Sequence, residues 1–327
     1  MKMDGKTKRF KPILQKLLQV SAAAALLAGG RVSAFPAAAA VQAPVVPIAH
    51  EAMTFQMRAG GYVRTPVASG TTVYGEGKAK IDASNISQGY VMIQYSGSQN
   101  RIKVQISKGA TVYTYDLNAR DAYEVFPFTE GNGTYSVKVF ENVTGNQYAQ
   151  VFSKDIAVTL ADQFAPFLTP NQYVNFSAGS AAVQTGAQVA ASAADALGVI
   201  TNVYDYVTQN VRYDTNKAQT VQSGYLPNVD AVLASKTGIC FDYAALMTAM
   251  LRSQNIPTKL VIGYTGSTYH AWVNVYIDSV GWVDNIIYFD GQNWSLMDPT
   301  FASSGGQSEE IKKYIGNASN YQAKYTY

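Results

Sequence analysis

The residues best suited to chemistry in this chain are one cysteine and one histidine. Among 327 residues there is a single cysteine, Cys240, and the only histidines are His50 and His270. Cys240 stands in the stretch 237–246, TGICFDYAAL, where a predicted apolar helix begins. The unbonded N–H groups and the positive end of a helix favour an anion, so they lower the pKa of a thiol at that place. Cys240 is therefore a candidate nucleophile.

His270 is the candidate general base. His50 falls in a predicted spacer, so His270 is the one imidazole expected in a folded domain, and it begins a predicted strand 30 residues after Cys240. A lone histidine is more often structural than catalytic, but beside a lone cysteine at a helix start the catalytic interpretation is favoured. Asp298, in MDPTF, is the best-placed group to orient the imidazole. Its rivals lie in or beside predicted turns, where aspartate usually bonds the backbone, and they are Asp278, Asp284 and Asp290.

The elements that must position these residues follow residue 162. Apolar residues at helical spacing, such as Val199, Val203 and Val207, predict helices before Cys240, and the stop signal Asn-Ile-Pro at 255–257 ends the cysteine helix. Strands come afterwards, so the predicted layout is α+β, with the cysteine helix packed on an antiparallel sheet. The predicted helices are 187–197, 199–214, 230–234 and one from residue 240, and the predicted strands are 258–266, 270–278 and 294–301, with a turn at Gly281-Trp282.

Residues 59–161 have a different pattern, in which short runs of alternating apolar and polar residues are separated by Gly, Ser, Asn and Asp. Repeated short strands of this kind predict an all-β immunoglobulin-like sandwich. Two prolines in the stretch 162–171, DQFAPFLTPN, mark a boundary to a second domain, 162–327. The strands predicted most clearly in the sandwich are 90–97, 101–109, 110–117, 133–142 and 152–160.

The first 58 residues are predicted to lie outside both domains. Residues 1–34 contain a basic stretch, an apolar run at 17–28 and small residues at the end, which is the layout of a secretory signal peptide. The apolar run is short for a membrane span, although an uncleaved anchor or a core helix is the alternative. Residues 35–58, rich in Ala and Pro, are predicted to be a disordered spacer. We therefore expect a secreted or cell-surface protein with no membrane span in the mature chain.

Charge and cysteine content argue against nucleic-acid binding and against internal disulfides. After residue 34 the chain carries 18 basic and 21 acidic residues and no basic run, which gives no support for nucleic-acid binding. A single cysteine cannot form an internal disulfide, so packing must hold the fold. The sequence has neither an acidic calcium-binding loop nor His and Cys at zinc spacing, so we expect no metal and no cofactor.

The stretches GICFDYAALMTAMLRSQNIPTKLVIGY, HAWVNVYID, GW and DPTF, in this order, resemble the core of the transglutaminase-like superfamily. The resemblance covers about 199–327. It implies a papain-like cysteine protease fold and a catalytic triad with Cys240 as nucleophile, His270 as base and later acid, and Asp298 as the residue that orients His270. In one respect the chain departs from the animal enzymes of the superfamily, which depend on calcium: it has no calcium-binding loop, so we expect metal-independent action.

The resemblance carries over one further position. Animal transglutaminases place a Trp upstream of the cysteine, four residues before a Val and five before an Asp, and its N–H helps to hold the oxyanion. Tyr225 has that register to Val229 and Asp230. We therefore expect the Tyr225 hydroxyl and the backbone N–H of Cys240 to stabilise the oxyanion, the alternative being a tyrosine that only packs on a turn.

Two classes of function follow. The first is an exported thiol enzyme that forms an acyl-thioester on Cys240 from a peptide or carboxamide, with extracellular protein or cell-wall peptide as substrate. Bacterial members of the superfamily are thought to act as hydrolases, which favours a cysteine peptidase or amidase over a cross-linking transglutaminase. The second is a non-enzymatic surface protein that uses the domain as a binding scaffold. A third use of the thiol, an intermolecular disulfide, is disfavoured by the apolar helix that follows Cys240.

Overall fold

The computed structural model describes residues 62–278, 281–284, 287–289, 294–296 and 321–327. Three predictions lie outside these residues, namely the signal peptide at 1–34, the spacer at 35–58 and the triad residue Asp298. His50 and Asp290 also lie outside them. No helix among the described residues is long and apolar enough to cross a membrane.

The first part of the described chain is built from strands. Two four-stranded antiparallel sheets have the orders β1-β2-β3-β6 and β5-β4-β7-β8. The strands are β1 Val73–Tyr74, β2 Ala79–Asp82, β3 Tyr90–Tyr95, β4 Ile102–Lys108, β5 Thr111–Asp116, β6 Glu124–Pro127, β7 Gly133–Thr144 and β8 Gln147–Val158, with a short 3-10 helix, Ile86–Gln88, before β3.

Alternation along these strands separates a buried face from an exposed one. In β4 the side chains of Ile102, Val104 and Ile106 are buried, whereas the polar residues between them are partly exposed. The buried side chains of the two sheets join one apolar core, and the ring of Tyr115 on β5 lies 5.1 Å from that of Phe126 on β6. The relation of this region to immunoglobulin-like sandwiches stays a prediction.

Within the described residues, five α-helices follow a short 3-10 helix at Ala165–Phe167. The prediction of one helix over 187–197 was wrong, because two helices meet there. The first ends at Ala190, and the side chain of Asp195 accepts a bond from the N–H of Gly198, 2.8 Å away, which caps a new helix. The helices are α1 Ala181–Ala190, α2 Ala196–Asn210, α3 Thr215–Thr220, α4 Val229–Ser235 and α5 Cys240–Ser253.

The second sheet system contains the strands that surround α5. Its main sheet has the order β13-β12-β11-β16, and every pair in it is antiparallel. The predicted turn at Gly281-Trp282 was wrong, because these residues begin a strand in which Trp282 pairs with Tyr276. The strands are β9 Arg212–Tyr213, β10 Thr237–Gly238, β11 Thr258–Thr265, β12 Thr268–Ile277, β13 Gly281–Val283, β14 Ile287–Phe289, β15 Trp294–Leu296 and β16 Tyr321–Thr326, of which β9 and β10 form a parallel pair and β14 and β15 an antiparallel one.

Helix α5 forms the centre of this half and packs on β11 and β12. Its residues from 242 to 253 are all buried, which confirms the wide apolar face predicted from the sequence. Leu246, Met247 and Met250 have no exposed surface. The helix ends at Ser253, two residues before Asn255 adopts a left-handed backbone with φ of 62°, as the predicted stop requires. Helices followed by antiparallel strands confirm the α+β layout.

A buried arginine ties α5 to three separate segments. The guanidinium of Arg252 donates to the backbone oxygens of Thr258 at 2.9 Å, Thr169 at 2.7 Å and Tyr327 at 2.7 Å. Thr169 belongs to the segment between the two halves of the molecule. The ring of Tyr327 also lies 5.6 Å from that of Tyr113 on β5, so the strand-rich half contacts the half that carries α5.

Candidate active site

Cys240 is the first residue of α5, as predicted, and its free thiol is partly exposed. The chain reaches it through β10, which pairs in parallel with β9. The backbone N–H of Asp214, just after β9, donates to the oxygen of Gly238 at 2.9 Å. Because the segment before Cys240 is held in this way, the thiol stands at a fixed point on the amino end of a buried helix, where the first N–H groups have no helical partner.

The amino end of α5 is capped by the side chain of Asp242, the third residue of the helix itself. Asp242 is fully buried, and its Oδ2 accepts from the backbone N–H of Ile239 at 2.8 Å. Ile239, the N-cap residue, has no side-chain acceptor, so Asp242 supplies one half of a capping box. A Cβ on Gly238 would lie 2.6 Å from the Cβ of Asp242, so glycine is required there for Asp242 to fold back.

Asp242 is also the centre of a polar cluster with two residues from other segments. The Lys217 ammonium lies 2.6 Å from Asp242 Oδ2 and 2.7 Å from the Tyr225 hydroxyl, and that hydroxyl donates to Asp242 Oδ1 at 2.5 Å. Burial raises the pKa of Tyr225, and its bond to Asp242 raises it further. Burial alone would lower the pKa of Lys217, but the bonds to Asp242 and Tyr225 outweigh burial and raise it.

Tyr225 was predicted from the sequence as a residue of the site, whereas Lys217 and Asp242 were not. The available signal was the acidic residue at the third position of the cysteine helix, where a carboxylate commonly bonds the N-cap N–H. Nothing in the sequence pattern marks Lys217 as its partner, since α3 is short and was not predicted.

The hydrogen bonds of Tyr225 bear on its expected role at the oxyanion. A phenol has one proton, and the Tyr225 hydroxyl donates it to Asp242. Donation to an oxyanion therefore requires exchange of that bond. The ring of Tyr225 lies 6.3 Å from that of Phe241, the residue after Cys240, so the side chain does lie beside the nucleophile's turn. The oxyanion role stays a prediction.

His270 lies near the start of β12 and is 5% exposed. It pairs with Gly263 of β11, where a Cβ would collide with the backbone oxygen of Gln322 and lie 2.8 Å from the indole of Trp272. The imidazole stacks at 6.4 Å between ring centroids on Trp272, two residues further along the same face of the strand. Glycine at 263 therefore leaves room for the indole of Trp272 and for the backbone of the neighbouring strand β16.

Tyr269, the neighbour of His270, interacts electrostatically with the thiol. Burial raises the pKa of Tyr269 most, and its interactions with nearby groups, Cys240 among them, raise it further. Helix α5 packs on β12, so the thiol and Tyr269 belong to elements in direct contact. Adjacent residues of a strand leave it on opposite faces, so Tyr269 and His270 point apart. Direct contact between Cys240 and His270 stays a prediction from the sequence.

The predicted third member of the triad, Asp298, lies outside the described residues. Of its rivals, Asp284 accepts a bond from the side-chain amide of Asn274 at 2.8 Å, and Asn274 lies on the same strand as His270. Asp278 comes directly after the end of β12 in a turn, as predicted. Among the described residues there is no group of three or more His, Cys, Asp or Glu side chains that could hold a metal ion.

Comparison with known proteins identifies the family to which this part of the chain is related. Residues 183–299 match the model of the transglutaminase-like superfamily. A UPF0252 protein of Methanocaldococcus jannaschii is 32% identical over 101 residues, which cover 27% of this chain and 29% of that protein. YebA of Bacillus subtilis is 30% identical over 100 residues, 25% of this chain and 13% of YebA. The matches thus span less than a third of either relative.

Among solved structures, the periplasmic domain of TgpA from Pseudomonas aeruginosa is similar to this chain with a TM-score of 0.33 and 14% identity. The alignment covers 74% of this chain and 99% of that domain. The family assignment rests on the match of residues 183–299 to the family model.

Proposed function

Since residues 183–299 belong to the transglutaminase-like superfamily, we propose that the protein is an exported thiol enzyme that transfers acyl groups through Cys240. The observation that carries the proposal is a partly exposed thiol, the only one in the chain, on the first residue of a buried helix. Unbonded N–H groups at that point stabilise negative charge on sulfur and on an adjacent oxyanion.

The reaction has two halves. In the first, His270 takes the proton of the Cys240 thiol, and the thiolate attacks the carbonyl carbon of a peptide or carboxamide. The resulting tetrahedral intermediate collapses as its C–N bond breaks. The leaving amine takes a proton from the imidazolium of His270, and an acyl-thioester remains on sulfur. In the second, His270 removes a proton from water or an acceptor amine, which attacks the thioester carbonyl. The C–S bond then breaks and the thiolate returns.

The oxyanion is held by the backbone N–H of Cys240 and, after its bond to Asp242 exchanges, by the hydroxyl of Tyr225. Asp298 orients His270 by accepting a bond from the imidazole nitrogen that does not face sulfur. No step in this scheme requires a metal or a cofactor.

The substrate is a peptide bond or carboxamide in extracellular protein or cell-wall peptide, and water is the favoured acyl acceptor. The predicted signal peptide, 1–34, supports an extracellular or cell-surface place of action. Hydrolysis makes the protein a cysteine peptidase or amidase, whereas transfer to a lysine amine makes it a cross-linking transglutaminase.

The test is to incubate the protein with denatured protein and with purified cell-wall peptide, and to identify new termini, released ammonia and new amide cross-links by mass spectrometry. We expect hydrolysis products with wild type and none with Cys240→Ala. Products that persist unchanged in Cys240→Ala would overturn the proposal. Cross-links with little hydrolysis would support the same thioester intermediate, with a lysine amine rather than water as the acyl acceptor.

The role of His270 needs its own variant and a matched control. His270→Gln removes the base while retaining a polar side chain, and we expect turnover to fall by about 10²-fold or more. Tyr269→Phe, one residue away on the other face of β12, is expected to retain most turnover. Equal losses in both variants would show that the strand end acts only as a scaffold.

The alternative function is a non-enzymatic surface protein that binds a partner through the same domain. It predicts an unreactive Cys240 in the folded protein. Alkylation of the thiol by iodoacetamide at neutral pH distinguishes the two, since the binding scaffold needs no thiolate.

A further inference from the structure

The buried carboxylate closest in sequence to the nucleophile creates an electrostatic problem. Asp242 is 0% exposed and lies on the same first helical turn as Cys240. A second negative charge near a thiol opposes its ionisation, because like charges disfavour each other more strongly where water is excluded. The capping function of Asp242 therefore works against a thiolate at Cys240 unless another group compensates.

Lys217 supplies the compensating charge. Its ammonium reaches Asp242 Oδ2 at 2.6 Å, and its side chain is 28% exposed, whereas that of Asp242 is fully buried. The same ammonium donates to the hydroxyl of Tyr225, which bonds the other carboxylate oxygen. Both oxygens of the carboxylate thus have partners outside the helix, and only one partner is a cation.

The backbone around Lys217 is fixed to the strand that leads to the nucleophile. Asp214 caps α3 by accepting from the N–H of Lys217 at 2.9 Å, and its own N–H donates to the oxygen of Gly238. A short helix such as α3 has little stability of its own. Its attachment to β10 explains why it forms here and why it presents Lys217 to the first turn of α5.

We propose that Lys217 is a positioning residue that neutralises Asp242 and thereby allows Cys240 to react as a thiolate at neutral pH. The proposal rests on the proposed function, in which Cys240 is the nucleophile. Lys217 does not touch the substrate, and it acts through Asp242. The amino end of α5 can therefore keep Asp242 as its cap while its N–H groups still favour a thiolate at Cys240.

Other titratable groups around the thiol do not replace this ion pair. Burial raises the pKa values of Tyr225, on the loop before α4, and Tyr269, on β12, so both are neutral at neutral pH. Asp214 is engaged as the cap of α3. His270, on β12, changes charge as the proposed base. The fixed charge beside Cys240 is therefore set by the ion pair, while His270 contributes equally to wild type and to the variants below.

The test is the pH dependence of Cys240 alkylation by iodoacetamide, followed by intact mass. The chain has one cysteine, so each adduct reports this thiol alone. Three variants change the charge of the pair in a defined way: Lys217→Gln leaves it at −1, Asp242→Asn leaves it at +1, and the double variant returns it to zero. We expect the alkylation midpoint to rise by about one pH unit in Lys217→Gln, with about tenfold slower alkylation at neutral pH. It should fall in Asp242→Asn and return towards wild type in the double variant.

A matched control removes a different lysine from the same region. Lys236 is exposed, caps the end of α4 and precedes Cys240 by four residues. We expect Lys236→Gln to leave the midpoint within about 0.3 units, because an exposed charge is screened by solvent. Lys217→Arg, which keeps the cation, should retain most of the wild-type rate.

The outcomes separate this inference from the proposed function. A Lys217→Gln protein that melts like wild type and has the wild-type midpoint overturns the inference, while a reactive wild-type thiol leaves the proposed function intact. If Lys217→Gln does not fold, the comparison of Asp242→Asn with the double variant decides: a midpoint that does not fall in the first, or does not return in the second, overturns the inference. A wild-type thiol that resists alkylation even at high pH would instead refute the proposed function.

Discussion

Replacement of Arg252 by lysine should weaken the half of the molecule that carries Cys240. The arginine guanidinium holds three backbone oxygens in three segments at 2.7–2.9 Å from a fully buried position. A lysine ammonium keeps the charge but lacks the planar fork, so it can bond one of these oxygens well and leaves the others without this donor. The oxygen of Tyr327 is affected least, because it also accepts from the N–H of Leu260 at 2.9 Å.

The expected loss follows from the carbonyls of Thr169 and Thr258, of which the ammonium can bond only one. A buried acceptor that loses its donor costs about 1–3 kcal/mol, so Arg252→Lys should lower the free energy of unfolding by about 2 kcal/mol. All three tryptophans of the chain lie after residue 271. Tryptophan fluorescence during urea unfolding therefore reports on the half that contains Arg252, and the midpoint should shift with an unchanged slope.

The matched control is Arg212→Lys. Arg212 is exposed and lies on β9, in the half on which the tryptophans report. We expect a change below about 0.5 kcal/mol for this variant. A loss below about 1 kcal/mol for Arg252→Lys, with the same slope as wild type, would refute the view that the buried fork holds these segments together.

Three further predictions concern the active site and the strand-rich half. Gly238→Ala should slow turnover and lower the melting temperature, because its Cβ would displace Asp242; unchanged values of both would contradict the required close approach. Tyr225→Phe should lower kcat by about tenfold or more if the hydroxyl reaches the oxyanion, whereas full turnover would assign the hydroxyl to Asp242 alone. Bonds from Tyr95 and Lys78 lower the pKa of Glu141, so its stabilising contribution is present above the carboxylate's ordinary pKa and is lost as pH falls through the lowered value. The stability difference between wild type and Glu141→Gln should therefore be present at pH 7 and fade below about pH 4, and a difference that stays constant in acid would contradict this.

The helix that carries Cys240 could be predicted because its signals are local. A run of apolar residues long enough to be buried all round is followed by Asn255, Ile256 and Pro257, and the structure ends the helix at Ser253. The strand that carries His270 was predicted for the same reason, since it is rich in β-branched and aromatic residues.

Features that depend on contacts distant in sequence were not predicted. Helix α3 is six residues long and exists because Asp214 caps it and bonds to β10, which no local propensity reveals. Gly281-Trp282 has the composition of a turn, but pairing with β12 and packing of Trp282 on Tyr276 at 5.6 Å make it a strand. The pairing of Lys217 with Asp242 across 25 residues likewise arises only from the fold.

The proposed function depends most directly on the ionisation of the Cys240 thiol. The measurement is the alkylation midpoint of Cys240 in the wild-type protein, by intact mass, under native conditions and again in denaturing urea. The folded protein should give a lower midpoint than the unfolded chain, because the amino end of α5 favours the thiolate. A folded midpoint at or above that of the unfolded chain would mean that the helix start does not favour the thiolate, and it would contradict Cys240 as the nucleophile.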